Sequence, residues 1–286
     1  MHSMPTTTAT TTAVLFPGQG SHSEGMQEPF RDHPLLARGI ELLGFDPFDN
    51  LAEGTRAHQP ALFLCSIAEW ASRDEREEDP LAAAGHSLGE YAALTAAGAI
   101  DFEDAVRLVG ARANAMARAA ALEPGGMVAM LGGERDDVLE LAAGLDLSLA
   151  NDNAPGQIVL SGRLAQVQQA VQRAEQIGCR ARQLAVGGAF HSPLMAPAAE
   201  ALMEALDATA IAEPEFPVLS NGSTRAFVDV RSELAENLLK PVRFRETLLE
   251  LDAMGATDYV ECGPGAVLKG LVKRTLRATP ERRPAR

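Results

Sequence analysis

Cysteine is scarce in this chain. Three occur in 286 residues, Cys65, Cys179 and Cys262, far apart and without C-x-x-C or zinc-type spacing. That pattern excludes a disulfide scaffold and a cysteine-built metal site, and it suits a reducing cytoplasm. Apolar runs long enough to span a bilayer are missing, so no membrane partner is expected. The threonine-rich residues 1–12 lack the basic and apolar regions of a secretory signal and read as a disordered tail. Basic excess is missing too: the formal net charge of −14 argues against nucleic acid as a partner, and an acidic partner would have to find a local basic patch. No internal repeat occurs. No HGGG loop is present, although an ordinary esterase of the α/β-hydrolase type would carry one.

What is present is organised around Gly85-His86-Ser87-Leu88-Gly89, a G-x-S-x-G pattern that holds a serine on a tight turn between strand and helix. Leu81 to Ala84 supply the expected strand, despite alanine's weak strand propensity, and Glu90 to Ala97 a helix closed by Gly98. The new helix directs free N–H groups and the positive end of its dipole toward the serine oxygen, which suits an oxyanion site.

Ala13 to Phe16 read as a first strand running into the turn Pro17-Gly18-Gln19-Gly20. A helix near 34–43, an apolar helix from Ala61 to Ser72 with Pro60 in its first turn, a solvated acidic connection at Asp74–Asp79, and a helix from Asp101 to Ala121 are expected next. Beyond Pro124-Gly125-Gly126 the order is strand 127–131, helix 135–143, strands 147–151 and 157–161, helix 164–177 and strand 180–184. This β-α-β-β-α-β order predicts a ferredoxin-like inserted domain at 126–189. Strands at 216–219 and 259–262 and helices at 232–239, 245–254 and after Gly265 complete the chain. Strands alternating with helices predict a parallel sheet covered on both faces, in a large domain of residues 13–125 and 190–278, with 279–286 frayed.

A serine hydroxyl needs a base to become a nucleophile. His2 lies in the tail and His33 in a surface-like stretch; His22, His58 and His86 are near possible site loops. His191, in the glycine-flanked loop where the chain re-enters the large domain, is the leading candidate.

The motifs Phe16-Pro17-Gly18-Gln19-Gly20-Ser21, Gln59-Pro60-Ala61-Leu62, Gly85 to Tyr91, Ala189-Phe190-His191-Ser192 and Glu261-Cys262-Gly263-Pro264-Gly265 resemble, in order, those of malonyl-CoA:acyl carrier protein transacylases. The resemblance spans Ala13 to about Leu276. It implies an α/β-hydrolase-like domain with an inserted ferredoxin-like one, Ser87 as nucleophile, and His191 as base and then acid. It implies an oxyanion hole from the N–H groups of Gln19 and Leu88, and a backbone carbonyl of the Lys240–Arg243 segment, that of Arg243, orienting the imidazole. Arg112 would clamp the malonyl carboxylate, with Gln59, His86, Met116 and Phe190 also binding substrate; Phe190 resembles the form associated with malonyl. No cofactor is implied, because the coenzyme A thioester is a substrate; the partners are malonyl-CoA and an acyl carrier protein, and a cytoplasmic monomer is expected. Arg180, Arg182, Arg243, Arg245, Lys269, Lys273 and Arg274 are the cations expected to meet the acidic carrier.

The segment between Gln19 and Gln59 is shorter than usual in that family, and His22 stands where a second glutamine is common. Alternative readings are a sister acyltransferase or editing hydrolase of polyketide assembly acting on another acyl group, an esterase, and a catalytically silent scaffold. Arg112 argues against the first, the missing HGGG loop against the second, and the intact Ser87, His191 and Gln19 set against the third.

Overall fold

Alternation along the first strand decides how the larger sheet is buried. Val14 and Phe16 enter one apolar cluster and Ala13 and Leu15 another, all without solvent exposure, so both faces of the strand are covered. The computed structural model describes residues 11–73 and 80–278. Asp74–Asp79, residues 279–286 and all but the end of the N-terminal tail lie outside the described residues.

The elements in chain order are β1 (Thr12–Phe16), α1 (Pro34–Leu43), α2 (Thr55–Ala71), β2 (Ala82–Gly85), α3 (Gly89–Ala96) and α4 (Phe102–Leu122). There follow β3 (Gly125–Gly132), α5 (Arg135–Gly144), β4 (Ser148–Ala154), β5 (Gln157–Arg163), α6 (Leu164–Arg173) and β6 (Cys179–Gln183). The chain closes with α7 (Ala196–Asp207), β7 (Val218–Leu219), α8 (Val230–Glu236), α9 (Phe244–Ala253), β8 (Asp258–Glu261) and α10 (Val267–Ala278).

Two sheets result. The first is parallel, in the order β7-β2-β1-β8, and the second antiparallel, in the order β4-β5-β3-β6. On one face of the parallel sheet α2, α3, α4 and α7 build the main core; on the other, Phe244, Leu248 and Leu251 of α9 pack with Leu268 and Leu271 of α10. Strand β2 is central: Ala83 faces the cluster that holds the α3 side chains, and Ala82 and Ala84 face the one that holds α9 and α10. The antiparallel sheet has its own apolar cluster, in which Val138, Leu141 and Ala142 of α5 and Val167 and Ala170 of α6 meet Val128, Met130, Ile158 and Leu160.

Several boundaries differ from the sequence expectation, each for a local reason. Helix α2 begins at Thr55, not Ala61, because Gly54 with φ +65° breaks the chain there, and Pro60 therefore sits inside the helix. The extra turn carries Thr55, His58 and Gln59 toward the ends of β1 and β2. Helix α6 finishes its expected length as a 3-10 turn, Ala174–Ile177, before Gly178. Strand β4 continues to Ala154 through two register shifts, taking Asn151, Asp152 and Asn153 into the sheet although all three are poor strand formers. Helix α8 starts two residues early, capped by the Asp229 side chain, and stops at Glu236. Strand β7 is only Val218–Leu219.

The two sheets are joined by backbone and by charge. Val242 N–H donates to Ala150 O at 2.8 Å and Asp152 N–H to Val242 O at 2.9 Å. The Asp152 carboxylate, 1% exposed, takes both arms of Arg245, at 3.0 and 2.9 Å, and Arg135 Nε at 3.0 Å. Removing this carboxylate strands the Arg245 fork in a partly buried place, so Asp152→Ala is expected to lower unfolding free energy by about 3 kcal/mol. Urea denaturation checks this; a loss under about 1 kcal/mol would mark the cluster as an ordinary solvated one.

Candidate active site

The serine turn is built by close approach. Ser87 itself has φ +54°, a left-handed conformation that costs a non-glycine residue about 1–2 kcal/mol. The flanking glycines do not carry the positive φ; they are small because the turn is crowded. A Cβ on Gly85 would lie 1.8 Å from Gly89 C, and one on Gly89 2.0 Å from Phe16 O. A Cβ on Gly18 would likewise fall 2.3 Å from His86 O, so the Gln19 loop is pressed against the serine turn.

His191 meets this turn from the other side of the site, also left-handed at φ +57°. Ser87 Oγ and His191 Nε2 are 2.8 Å apart. The opposite nitrogen, Nδ1, lies 2.9 Å from Asn237 O and 3.1 Å from Lys240 O. Two carbonyl acceptors fix the proton on Nδ1, which leaves the Nε2 lone pair for the serine hydroxyl. Burial, and next the Arg112 cation, push the imidazole pKa down to about 4.

The orienting carbonyls correct the expectation of Arg243. Arg243 O is engaged by Thr247 at the start of α9, through N–H at 2.9 Å and Oγ1 at 3.1 Å. Asn237 and Lys240 lie where the chain leaves α8, and carbonyls at a helix end are the ones without helical partners.

Arg112, from the middle of α4, is 2% exposed. It donates through one arm to Gln59 Oε1 and through the other to Ser87 Oγ at 3.1 Å, and it lies 5.4 Å above the Tyr91 ring. Among the described residues no carboxylate is within ion-pair distance of it, and its Nε has no hydrogen-bond partner. A buried guanidinium so placed is suited to a carboxylate brought by a ligand. Gln59 is held in turn by Thr55 Oγ1 at 2.7 Å and Met116 Sδ at 3.3 Å.

Six of the predicted residues share one space, while Gln59, Leu88, Arg112 and Arg243 are not part of its lining. Gln19, His86, Ser87, Met116, Phe190 and His191 line a cavity of about 120 Å³. It opens past Gln19, Leu184, Val186 and Phe190 into a wider one of about 600 Å³, which His22, His58 and Arg182 also border. Leu88, at the start of α3, is buried with Gly89 and Glu90 behind it. Among the described residues no hydrogen bond uses the N–H of Gln19 or of Leu88, whereas Ser87 N–H is engaged by Asn221 Oδ1 at 2.7 Å.

Four asparagines of the site escape a reading of the sequence. Asn153 Oδ1 accepts from His86 Nε2 at 2.8 Å, and Asn151 lies beside it at 3.4 Å. Asn221 and Asn237 brace the serine turn and carry the histidine carbonyl. The one available signal was Asn151-Asp152-Asn153, three strand-averse residues in a row at a strand end. Asn221 and Asn237 stand in loops where asparagine is commonplace.

Of the expected docking cations, Arg243 is paired with Glu246 and Arg245 with Asp152. Arg180, Arg182, Lys269, Lys273 and Arg274 are exposed.

The profile of acyl transferase domains matches residues 45–286. The chain is 40% identical to the malonyl CoA-acyl carrier protein transacylase of Bacillus subtilis over 93% of its own length and 90% of that protein's. Among solved structures it is similar to the transacylase termed MCAT of Mycobacterium tuberculosis, at TM-score 0.88 and 34% identity, covering 93% and 94% of the two chains. It is also similar to a malonyl-transacylase in complex with a type II PKS acyl-carrier protein, at TM-score 0.86 and 34% identity over 94% of each chain.

The crowding at the serine turn leaves no room for a methyl group. Gly85→Ala is expected to destabilise the protein by about 3 kcal/mol or more and to lower its soluble yield. A thermal melt within a degree or two of wild type would show that the turn relaxes.

Proposed function

The chain belongs to the malonyl-CoA:acyl carrier protein transacylases, and on that premise we propose that Ser87 and His191 carry its transfer of malonyl from coenzyme A to a carrier-protein thiol. The observation that carries this reading is the buried Arg112, without an ion-pair partner among the described residues, touching the serine hydroxyl that His191 also touches.

In this mechanism the malonyl carboxylate takes two charge-assisted hydrogen bonds from Arg112, and its thioester carbonyl lies over Ser87. Ser87 Oγ attacks the carbonyl carbon while its proton passes to His191 Nε2. The oxyanion gathers the N–H groups of Gln19 and Leu88. The C–S bond then breaks and the departing thiolate takes the proton from His191, leaving malonyl esterified to Ser87. The pantetheine thiol of the carrier attacks in turn, gives its proton to His191, and Ser87 leaves with that proton restored. The narrow cavity and the carboxylate clamp favour this thiol over water. His86, Gln59, Met116 and Phe190 shape the acyl pocket, and Phe190 sets its width. No cofactor takes part.

The substrate also adjusts the base. Burial is the main cause of the lowered imidazole pKa and Arg112 the next, so a bound carboxylate that offsets the cation makes His191 more basic at the moment it is needed. The parallel-sheet unit serves as an α/β-hydrolase-like domain and the antiparallel sheet, with its 4-1-3-2 arrangement, as the ferredoxin-like insert at 126–189. Carrier docking uses the exposed Lys269, Lys273 and Arg274 with Arg180 and Arg182. The protein works as a cytoplasmic monomer, and its three cysteines are buried and form no disulfide.

Intact-mass measurement after brief exposure to malonyl-CoA tests the chemistry. Wild type gains one malonyl group and Ser87→Ala gains none; Arg112→Ala loses about 100-fold or more in malonyl transfer and accepts acetyl. Preferential acetyl labelling of wild type would remove the malonyl assignment.

The pH profile has a definite sign. His191 acts as a base when neutral, so kcat/KM for free enzyme is retained above pH 5 and falls as pH drops through about 4. Arg112→Ala, assayed with acetyl-CoA, moves that limb upward in pH. A limb near 6.5 in wild type, or one that moves down in the variant, contradicts the assignment.

Charge reversal at Lys273 and Arg274 is expected to raise KM for carrier protein and leave KM for malonyl-CoA unchanged; steady-state kinetics with each substrate varied checks the docking surface.

A further inference from the structure

Glu90 is the second residue of α3 and only 2% exposed, and the chemistry just described does not use it. Its Oε1 accepts Asn221 N–H at 2.7 Å and Asn237 Nδ2–H at 2.9 Å. Each asparagine then reaches one partner of the reacting pair. Asn221 Oδ1 takes Ser87 N–H at 2.7 Å while its Nδ2 donates to Gly85 O at 2.6 Å, so the amide clasps the serine turn on both sides of His86. Asn237 O takes His191 Nδ1–H at 2.9 Å.

The serine turn lies more than 100 positions from both His191 and the 221–237 stretch, and both reacting residues have left-handed backbones that must be held by their surroundings. An isolated carboxyl satisfied by chance would need only its nearest neighbours. This one joins the support of the nucleophile to the support of the base at a single oxygen.

We propose that Glu90 is a positioning residue that fixes the separation of Ser87 and His191, acting on the serine through Asn221 and on the histidine through Asn237. The inference rests on the Ser87–His191 reading. Burial pushes the Glu90 carboxyl up to about 8, against the opposing pull of the two asparagine hydrogen bonds and of Arg112. Below that pH the carboxyl is mainly neutral, with Oε1 still an acceptor and the Arg112 charge left for the substrate. The role therefore requires an oxygen in that place and no negative charge, and glutamine supplies one.

The test is the rate of malonyl-Ser87 formation, followed by rapid quench and mass analysis over a range of malonyl-CoA concentrations. The saturating rate is expected to fall about 100-fold in Glu90→Ala, as for an ångström-scale misplacement, and about tenfold in Asn237→Ala, with the half-saturating concentration shifted less than about twofold. Glu90→Gln is expected to stay within about threefold of wild type. A Glu90→Ala protein that melts earlier but acylates at the wild-type rate overturns the proposal, as does Glu90→Gln falling as far as Glu90→Ala. If Glu90→Ala does not fold, an Asn237→Ala rate equal to wild type overturns it. Labelling that survives Ser87→Ala would instead remove the dyad reading itself.

Discussion

A serine held in a left-handed turn, with no room around it for one additional methyl group, is the constraint on which the rest of this protein depends. The turn forms because β2 ends and α3 begins within a few residues, and the Gln19 loop is pressed onto it closely enough that Gly18, Gly85 and Gly89 all need to lack a side chain. That crowding brings together a hydroxyl and two N–H groups that have no partner among the described residues. It also explains Ala83 in β2: a larger residue on that face would push α3 away from the sheet and relax the turn.

Charge supplies the second half of the site. Arg112 is buried where its cost is met by Gln59, Ser87 and the face of Tyr91, none of which bears a full negative charge. An ion pair inside the protein would have silenced it. Burial first, and then the same cation, hold the His191 pKa down, and in the proposed mechanism a bound carboxylate offsets the cation's share. On the proposed reading, selectivity for an acidic acyl group and activation of the base come from one side chain.

Much of this was legible in the sequence. Gly85 to Gly89 identified the serine turn from the residues alone, and the order of elements after Pro124 anticipated the antiparallel sheet, because both are local patterns. Ser87 and His191 are 104 positions apart, and the residues alone offered His191 only as the leading choice among several histidines; their 2.8 Å contact is a product of the fold. The start of α2 was misread because Pro60 resembles a first-turn proline, while the real break is Gly54. The orienting carbonyl was assigned to Arg243 because backbone oxygens carry no sequence label. Which carbonyl is free depends on where α8 stops and α9 starts, and element ends are the least determined part of any sequence pattern. The asparagines were missed for a related reason: their work is done by amide groups whose partners lie in other segments.

Residues 240–242 serve two structures at once. Lys240 O steadies the imidazole, while two residues later Val242 is hydrogen-bonded into the edge of β4. The antiparallel sheet therefore cannot be treated as a detachable module. A hybrid that exchanges residues 125–183 between relatives while retaining the host's 237–245 stretch would graft a foreign strand edge onto the segment that orients the His191 imidazole. Breakpoints for chimeric transferases belong outside that stretch, so that β4 and the 237–245 segment are inherited from the same parent.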